Sequence, residues 1–600
     1  MKRLILIMMT LAFCMPAFSQ AWKNAKKNPD QYLYGEGKGV TVDEADNQAL
    51  QQIISQLCVH VSSNIELAKQ EVRTGNDYEN KRYIDQKIST YSNATLTNTD
   101  MFVISNEPKA HVARWISKSE LHRIFAGRTA KVQEYMTNAV KAEEKGKLDD
   151  ALRNYYWAYT LLMTLQHASE VTFRDSDFQN HVLVTWIPEK MNNIFEDIKV
   201  SVTGKQDNDM ELFFTYNGEP VTSLDYTYFD GGRWSNIYSV KDGVGLLELA
   251  PGAIGENLQL KIEFAYKNQA HIDREIYSVI NVVKDLSFPK AYLNLKGKVS
   301  KKAQNKLSDL EDSYNEDVAA AISILDDDKD VKASMDNVLD AIYAKKYEDV
   351  QEHFTSEGLD MFNRLISYGN AKIVGEPSYT VYKNNDRTVV RSVPMSFSFR
   401  NGSTKFVENV VFTFNDQGMI ESLAFGLDDA ATRDVLTKQA WPEHARMSII
   451  EFLENYKTAF ALERLDYIRT IFDENAVIIV GKIAKAATGI SPENQITYNN
   501  NIIIRTRYTK EQYLKNLERC FASNEFVNVR FANNDIIKAG KGGEIYGIQI
   551  KQDYYSANYG DTGYLFLLVD LNDPEAPMIK VRTWQPEPDP VDGLYDISHF

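Results

Sequence analysis

The stretch YLYGEGKGVTVDEADNQALQQIISQL, Tyr32 to Leu57, decides how the first part of this chain is read. Gly35, Gly37 and Gly39 alternate with larger residues and lead into a helical pattern. A dinucleotide-binding loop has the same order of strand, turn and helix, but it needs a glycine three residues after Gly37, where Val40 stands. The period of two places the three glycines on one face of a strand, where the missing Cβ atoms let a helix backbone approach. Thr41 and Glu44 form a capping box. Ala45, Ala49, Leu50, Ile53, Ile54 and Leu57 then follow at helical spacing as one apolar stripe. The expectation is a bare strand packed on a helix, without a nucleotide.

Around this stretch, length and composition set the limits. Six hundred residues exceed one core, and 44% hydrophobic with 11% aromatic residues is the make-up of folded domains. The formal net charge is −16, which repels phosphate backbones, so nucleic acid is excluded as a general partner. At the N-terminus, Lys2 and Arg3 precede the apolar run LILIMMTLAFCM, Pro16 and the small-residue site AFS. This predicts a signal peptide over 1–19, cleaved between Ser19 and Gln20, and hence export without a permanent transmembrane anchor. Cys58 and Cys520 are then lone cysteines, so a disulfide framework is not expected.

The residues YGEGKG…DEADNQALQQIISQL, followed by ATLTNTDMFVISNEPKAHVARWISKSELHRIF, resemble the Lpp-twenty lipoprotein family of bacterial envelopes. The resemblance spans about 30–127 and implies a small α+β domain, assigned to 20–127, of an exported protein. It carries over no catalytic residues. Phe13 departs from the lipoprotein signal pattern, so anchoring through Cys14 is not expected.

Further along, Gly146, Leu148, Ala151, Tyr155 and Ala158 have the spacing of one tetratricopeptide-like helical hairpin, placed over 128–195. A single hairpin makes no concave peptide groove and reads as a packing spacer. From 196 to 290 the period becomes two, with Gly, Asn and Asp turns, predicting an antiparallel β-sandwich. VKDGVGLLELAPG resembles a hairpin of immunoglobulin-like modules. Tyr226 and Tyr228 read first as sandwich core and second as a sugar-stacking surface. Residues 291–332 read as a charged helical linker. Asp326, Asp328 and Asp330 match the start of a calcium loop, but Val331 and Asn337 stand where it needs Gly and Glu.

The C-terminal half reads as an internal repeat over 333–430 and 440–587, with 588–600 as a tail. Tyr347, Val350 and Phe354 correspond to Leu465, Ile468 and Phe472 at a constant offset, and both strand pairs turn at Asn-Asp. Helices followed by a curved sheet resemble the nuclear-transport-factor-two (SnoaL-like) cone, a fold that hosts enzymes and binding modules alike. The whole is a multi-domain α+β chain.

A cone has a natural pocket between helix and sheet. Tyr456 and Phe460, four apart on one helix, with Gln549, Arg582 and Trp584 from strands, are the candidate ligand-binding residues; plain core is the competing reading of Tyr456 and Phe460. Asp466, Tyr467 and Asp473 are weaker candidates for acid–base chemistry, since His444 and His599 lie off the motif positions. No metal, nucleotide or serine-hydrolase signature occurs, and no cofactor is expected. The expected role is a non-catalytic interaction or scaffold protein of the bacterial envelope, periplasmic or at the surface, with other envelope proteins or glycans as partners. A small-molecule or glycan binder is the alternative, and a pocket hydrolase or isomerase a further one. Oligomeric state stays open.

Overall fold

A computed structural model describes residues 21–71, 99–484 and 502–600 apart from short loop stretches, the longest at 250–256, 281–287 and 523–527. The segment read as a signal peptide with Ser19 and Gln20, Cys14, Asp326 and the Cys58 side chain lie outside the described residues. The chain is multi-domain α+β.

The opening stretch forms strand β1 (Tyr32–Gly39) and helix α1 (Val42–Glu71). β1 pairs antiparallel with β3 (Ala110–Ser117), which also pairs with β2 (Asp100–Ser105). All three glycines are in extended pairing, opposite Arg114, Val112 and Ala110. A Cβ on Gly37 would lie 1.8 Å from the Ala45 carbonyl oxygen, and one on Gly35 would lie 2.1 Å from that of Ala49. The helix backbone therefore occupies the space of the missing side chains. The Glu44 amide donates to Thr41 Oγ1 (3.2 Å), and Glu44 Oε2 accepts from the Val40 amide (2.9 Å). The helix start is satisfied from within the chain.

Helices α2 (Lys118–Glu144) and α3 (Leu148–Leu162) form the hairpin, turning at Gly146 with φ +67. The boundary expected at 127/128 falls inside α2, because Ser117 caps a helix that runs without interruption into the hairpin. α4 (Leu183–Asp197) packs on α3, and the Trp157 indole donates to the Tyr266 carbonyl (2.7 Å).

Next comes one continuous sheet. Its order is Tyr292–Lys296, Asn257–Ile262, Ser223–Phe229, Ile237–Lys241, Val244–Glu248, Asp209–Tyr216, Ile198–Gln206. A Val202–Val299 bridge and the Ser300 amide donating to the Val202 carbonyl (2.8 Å) tie the ends together. Where two facing sheets were expected, a single sheet curls on itself, as strongly twisted sheets do. Tyr226 and Tyr228 are buried inside it, their hydroxyls donating to the carbonyls of Leu246 and Glu248. The linker is not free either: Tyr292–Lys296 belongs to this sheet, and Tyr314, Val318 and Ile322 of helix Lys301–Ala321 and its end are buried.

The same sheet continues into the unit read from the sequence as the first cone. Ile237–Ser239 pairs in parallel with Thr404–Phe406, whose strand Thr404–Phe414 is flanked by Arg387–Phe397 and Ile420–Phe425. The units read separately as 196–290 and 333–430 thus share one hydrogen-bonded sheet. The unit read as the second cone has its own six strands, ordered Ile502–Tyr508, Phe472–Ala484, Met578–Gln585, Gly560–Asp570, Ile545–Tyr555, Asn528–Lys538, with helix Glu443–Ala461 packed on it. In each cone a short helical turn (Tyr347–His353, Leu465–Thr470) follows a long helix (Lys329–Ala344, Glu443–Ala461). The tail packs back on the sheet: Phe600 stacks on Phe566 at 5.9 Å, and the Tyr595 amide donates to Gln585 Oε1 (2.6 Å).

Candidate functional site

Four of the five sequence-predicted residues meet inside the second cone. Tyr456 and Phe460 pack ring against ring at 4.7 Å, tilted by 40°, and Tyr456 is fully buried. Arg582 is buried with its guanidinium over the Tyr513 ring (4.8 Å), and Trp584 is buried on the same strand. Burial pushes the Tyr456 hydroxyl up, against the neighbouring Arg582 charge. Burial also works against the Arg582 charge, but the Tyr513 and Tyr456 hydroxyls hold it in place. Arg582 Nε and the Tyr456 hydroxyl lie enclosed without a well-formed hydrogen bond. Phe531 lies 6.4 Å from Tyr456 and Phe521 lies 6.1 Å from Phe460, ring centre to ring centre, adding two more aromatic walls.

Gln549 does not join them. It pairs across the sheet with Phe566, which pairs with Thr583, whereas Arg582 pairs with Leu567. Directly paired residues share a face and neighbours along a strand alternate, so Gln549 points away from Arg582 and Trp584. Its amide instead donates to the Tyr595 carbonyl of the tail (3.1 Å).

Of the weaker candidates, Tyr467 is partly buried with the Arg464 guanidinium over its ring (5.5 Å), and the two carboxylates lie nearer the surface. Asp466 is largely exposed, and Asp473 accepts from Lys580 (2.8 Å), which holds its carboxyl below the usual range. His599 contacts Asp596. Asp328 caps helix Lys329–Ala344 through the Val331 amide (3.2 Å), and among the described residues no group of three or more His, Cys, Asp or Glu is placed to hold a metal.

A constellation that sequence reading missed lies where the modules meet. In the curled, barrel-like sheet, the hairpin between Ile237–Lys241 and Val244–Glu248 turns at Asp242-Gly243, both with positive φ (47 and 85), a type I′ turn that projects Asp242 outward. Asp242 Oδ1 accepts from the Asp429 amide (3.3 Å) at the start of helix Asp429–Leu436, and Oδ2 accepts from Asn409 (3.2 Å). Asp428 caps that helix through the Ala431 amide (2.7 Å) and pairs with Lys147 of the hairpin (2.9 Å). Lys147 also donates to the Phe531 carbonyl of the second cone (3.0 Å). Glu408 pairs with Lys457 (2.8 Å) and Lys241 (3.5 Å). In these three ion pairs the side chains are only 9–17% exposed. Helical hairpin, barrel and both cones converge on this cluster.

Beside it, Tyr314, Thr380, Tyr382, Arg391 and Thr432 line a small cavity with room for about one water. Arg391 pairs with Glu454 (2.6 Å), both almost fully buried, and Glu454 accepts from the Leu427 amide (2.8 Å). Ser392, on the cavity wall, has φ 72 at a bulge in its strand. The only local sequence signal for all this was the Asp-Gly turn. The rest depends on residues hundreds of positions apart.

No family model matches the sequence, and no curated protein matches it. Among solved structures, Bd1075 of Bdellovibrio bacteriovorus aligns over 31% of this chain and 49% of its own, at 12% identity and a TM-score of 0.18. The chain therefore spans about half of Bd1075. Naphthalene 1,2-dioxygenase with indole bound aligns over 27% and 87%, at 9% identity and 0.20. Pgp2, a helical cell shape determining protein of Campylobacter jejuni, aligns over 29% and 66%, at 15% identity and 0.18. At these scores the likeness is partial and assigns this chain neither family nor activity. Among the described residues, no helix is long and apolar enough to cross a membrane.

Proposed function

We propose that this chain is an exported, non-catalytic scaffold or interaction protein of the bacterial envelope, acting in the periplasm or at the cell surface. One observation carries the reading: Lys147, Asp242, Asp428 and the Phe531 carbonyl join four modules at one largely buried point. Such a junction favours a stiff body that presents its outer surface. The N-terminal pattern of Lys2, Arg3, an apolar run and AFS supports export. Cell fractionation with N-terminal sequencing tests it: the protein is expected in the envelope fraction, beginning at Gln20. Recovery from the cytoplasm with Met1 intact, or defined turnover by purified protein in a broad hydrolase and isomerase screen, would overturn it.

A small-molecule or glycan binder using the second cone is the second reading, favoured by the buried Arg582 between two tyrosines. A ligand at a hundredfold excess over Kd adds about 2.7 kcal/mol to stability, a readable thermal shift. Tyr456→Ala and Trp584→Ala are expected to abolish such a shift, and one that survives both would place binding elsewhere.

A further inference from the structure

The junction cluster has an excess of acid. Three ammonium groups (Lys147, Lys241, Lys457) face four carboxyls (Asp242, Asp428, Asp429, Glu408). Further charges close in: Arg391, already engaged by Glu454, and Arg433, engaged by Asp317, face Asp429; Lys145 and Asp434 flank Asp428; the Tyr314 hydroxyl faces Asp429 and Asp242. Asp428 has the best claim to its negative charge, because it caps a helix and pairs with Lys147. Glu408 is shared by two lysines. Asp242 and Asp429 are left, held together at the first turn of one helix by the Asp429 amide. Two like charges confined so closely are relieved when one carboxyl keeps its proton.

We propose that the junction is a proton-operated latch, in which a proton held by the Asp242–Asp429 pair keeps the barrel hairpin seated on the first cone. Losing it as the pH rises loosens the seam between Ile237–Ser239 and Thr404–Phe406.

The direction agrees with the titration of the pair. Burial pushes Asp429 up to about 6, against the pull of Lys241 and Arg391, and burial and Asp429 together push Asp242 well above the usual carboxylate range. A carboxyl raised in the folded state stabilises it fully only below its unfolded value. The contribution is lost as pH climbs to the folded value and stays lost above.

Hydrogen exchange at the seam amides of the full mature chain, corrected for intrinsic rates, tests the latch at pH 5 and 8.5. In the wild type, seam opening is expected to rise at least about tenfold between the two, the rise Asp429 alone supplies at a folded value of about 6. Asp429→Asn removes that titrating carboxyl and is expected to cut the rise below about threefold; Asp242→Asn removes its neighbouring carboxyl and is expected to lower the rise to a smaller extent. Asp309→Asn, the same charge change on the exposed face of helix Lys301–Ala321, is expected to leave it unchanged. An equal rise in wild type and both junction variants, or no rise in the wild type, would overturn the latch. Should one variant fail to fold, the other decides alone.

Discussion

Gly37 and Arg391 show how single residues carry the fold. Gly37 needs no unusual φ; it is extended, and its constraint is space alone. Gly37→Ala would force a methyl into the Ala45 carbonyl, so strand and helix must part. A loss of about 1–3 kcal/mol is expected, the range for overpacking, read from denaturant unfolding of the wild type and variant. Arg391 shows the opposite constraint, since it is indispensable only while its partner remains. Arg391→Met leaves Glu454 buried and unpaired, at an expected cost of about 3–5 kcal/mol. The double variant Arg391→Met/Glu454→Leu is expected to recover part of that, by the same measurement. The glycine was legible in sequence because its partner helix is the next element. The arginine was not, because Glu454 lies 63 positions away.

At the scale of elements, the strand and helix periods were readable almost throughout, since side chains alternate or spiral with the backbone wherever a core lies on one side. What they did not report is pairing. The edge between barrel and first cone is held by parallel pairing and by Glu248, which takes Lys372 on one oxygen, Lys405 on the other, and the Tyr238 hydroxyl (2.7 Å). Burial opposes the Glu248 charge, but the bonds from the two lysines and Tyr238 outweigh it and lower its carboxyl to about 2. The contribution of this carboxylate is complete above the ordinary glutamate value of about 4.5 and is lost as pH falls toward 2. Glu248→Gln is accordingly expected to flatten the acid limb of the stability curve between pH 4.5 and 2, read by urea unfolding at fixed pH steps. An unchanged limb would remove Glu248 from the seam. The misplacement of Gln549 has the same origin. Alternation gives a strand two faces, and only the register with Phe566 and Thr583 says which one meets the helix.

For the whole molecule, the modules are not beads on a string. Tyr314 and Val318 of the presumed linker, and Tyr382 and Val411 of the first cone, belong to one core with Tyr456, Phe460 and Trp584 of the second. Ala461 in turn packs into the core of the first cone. Calorimetry of the full chain is expected to show the two cones melting in one transition; two well-separated transitions would contradict the shared core. Composition, charge and periodicity by themselves determined that this is an acidic, folded, multi-domain α+β chain with a bare-faced strand on a capped helix. These are properties of neighbours along the backbone. Tertiary structure alone decided that the barrel and first cone share a sheet, that Arg582 comes to lie over Tyr513 inside the second cone, and that Lys147, Asp242 and Asp428 meet. Those facts depend on register and on charges brought together from distant segments, and no local pattern encodes the desolvation that makes such a meeting matter.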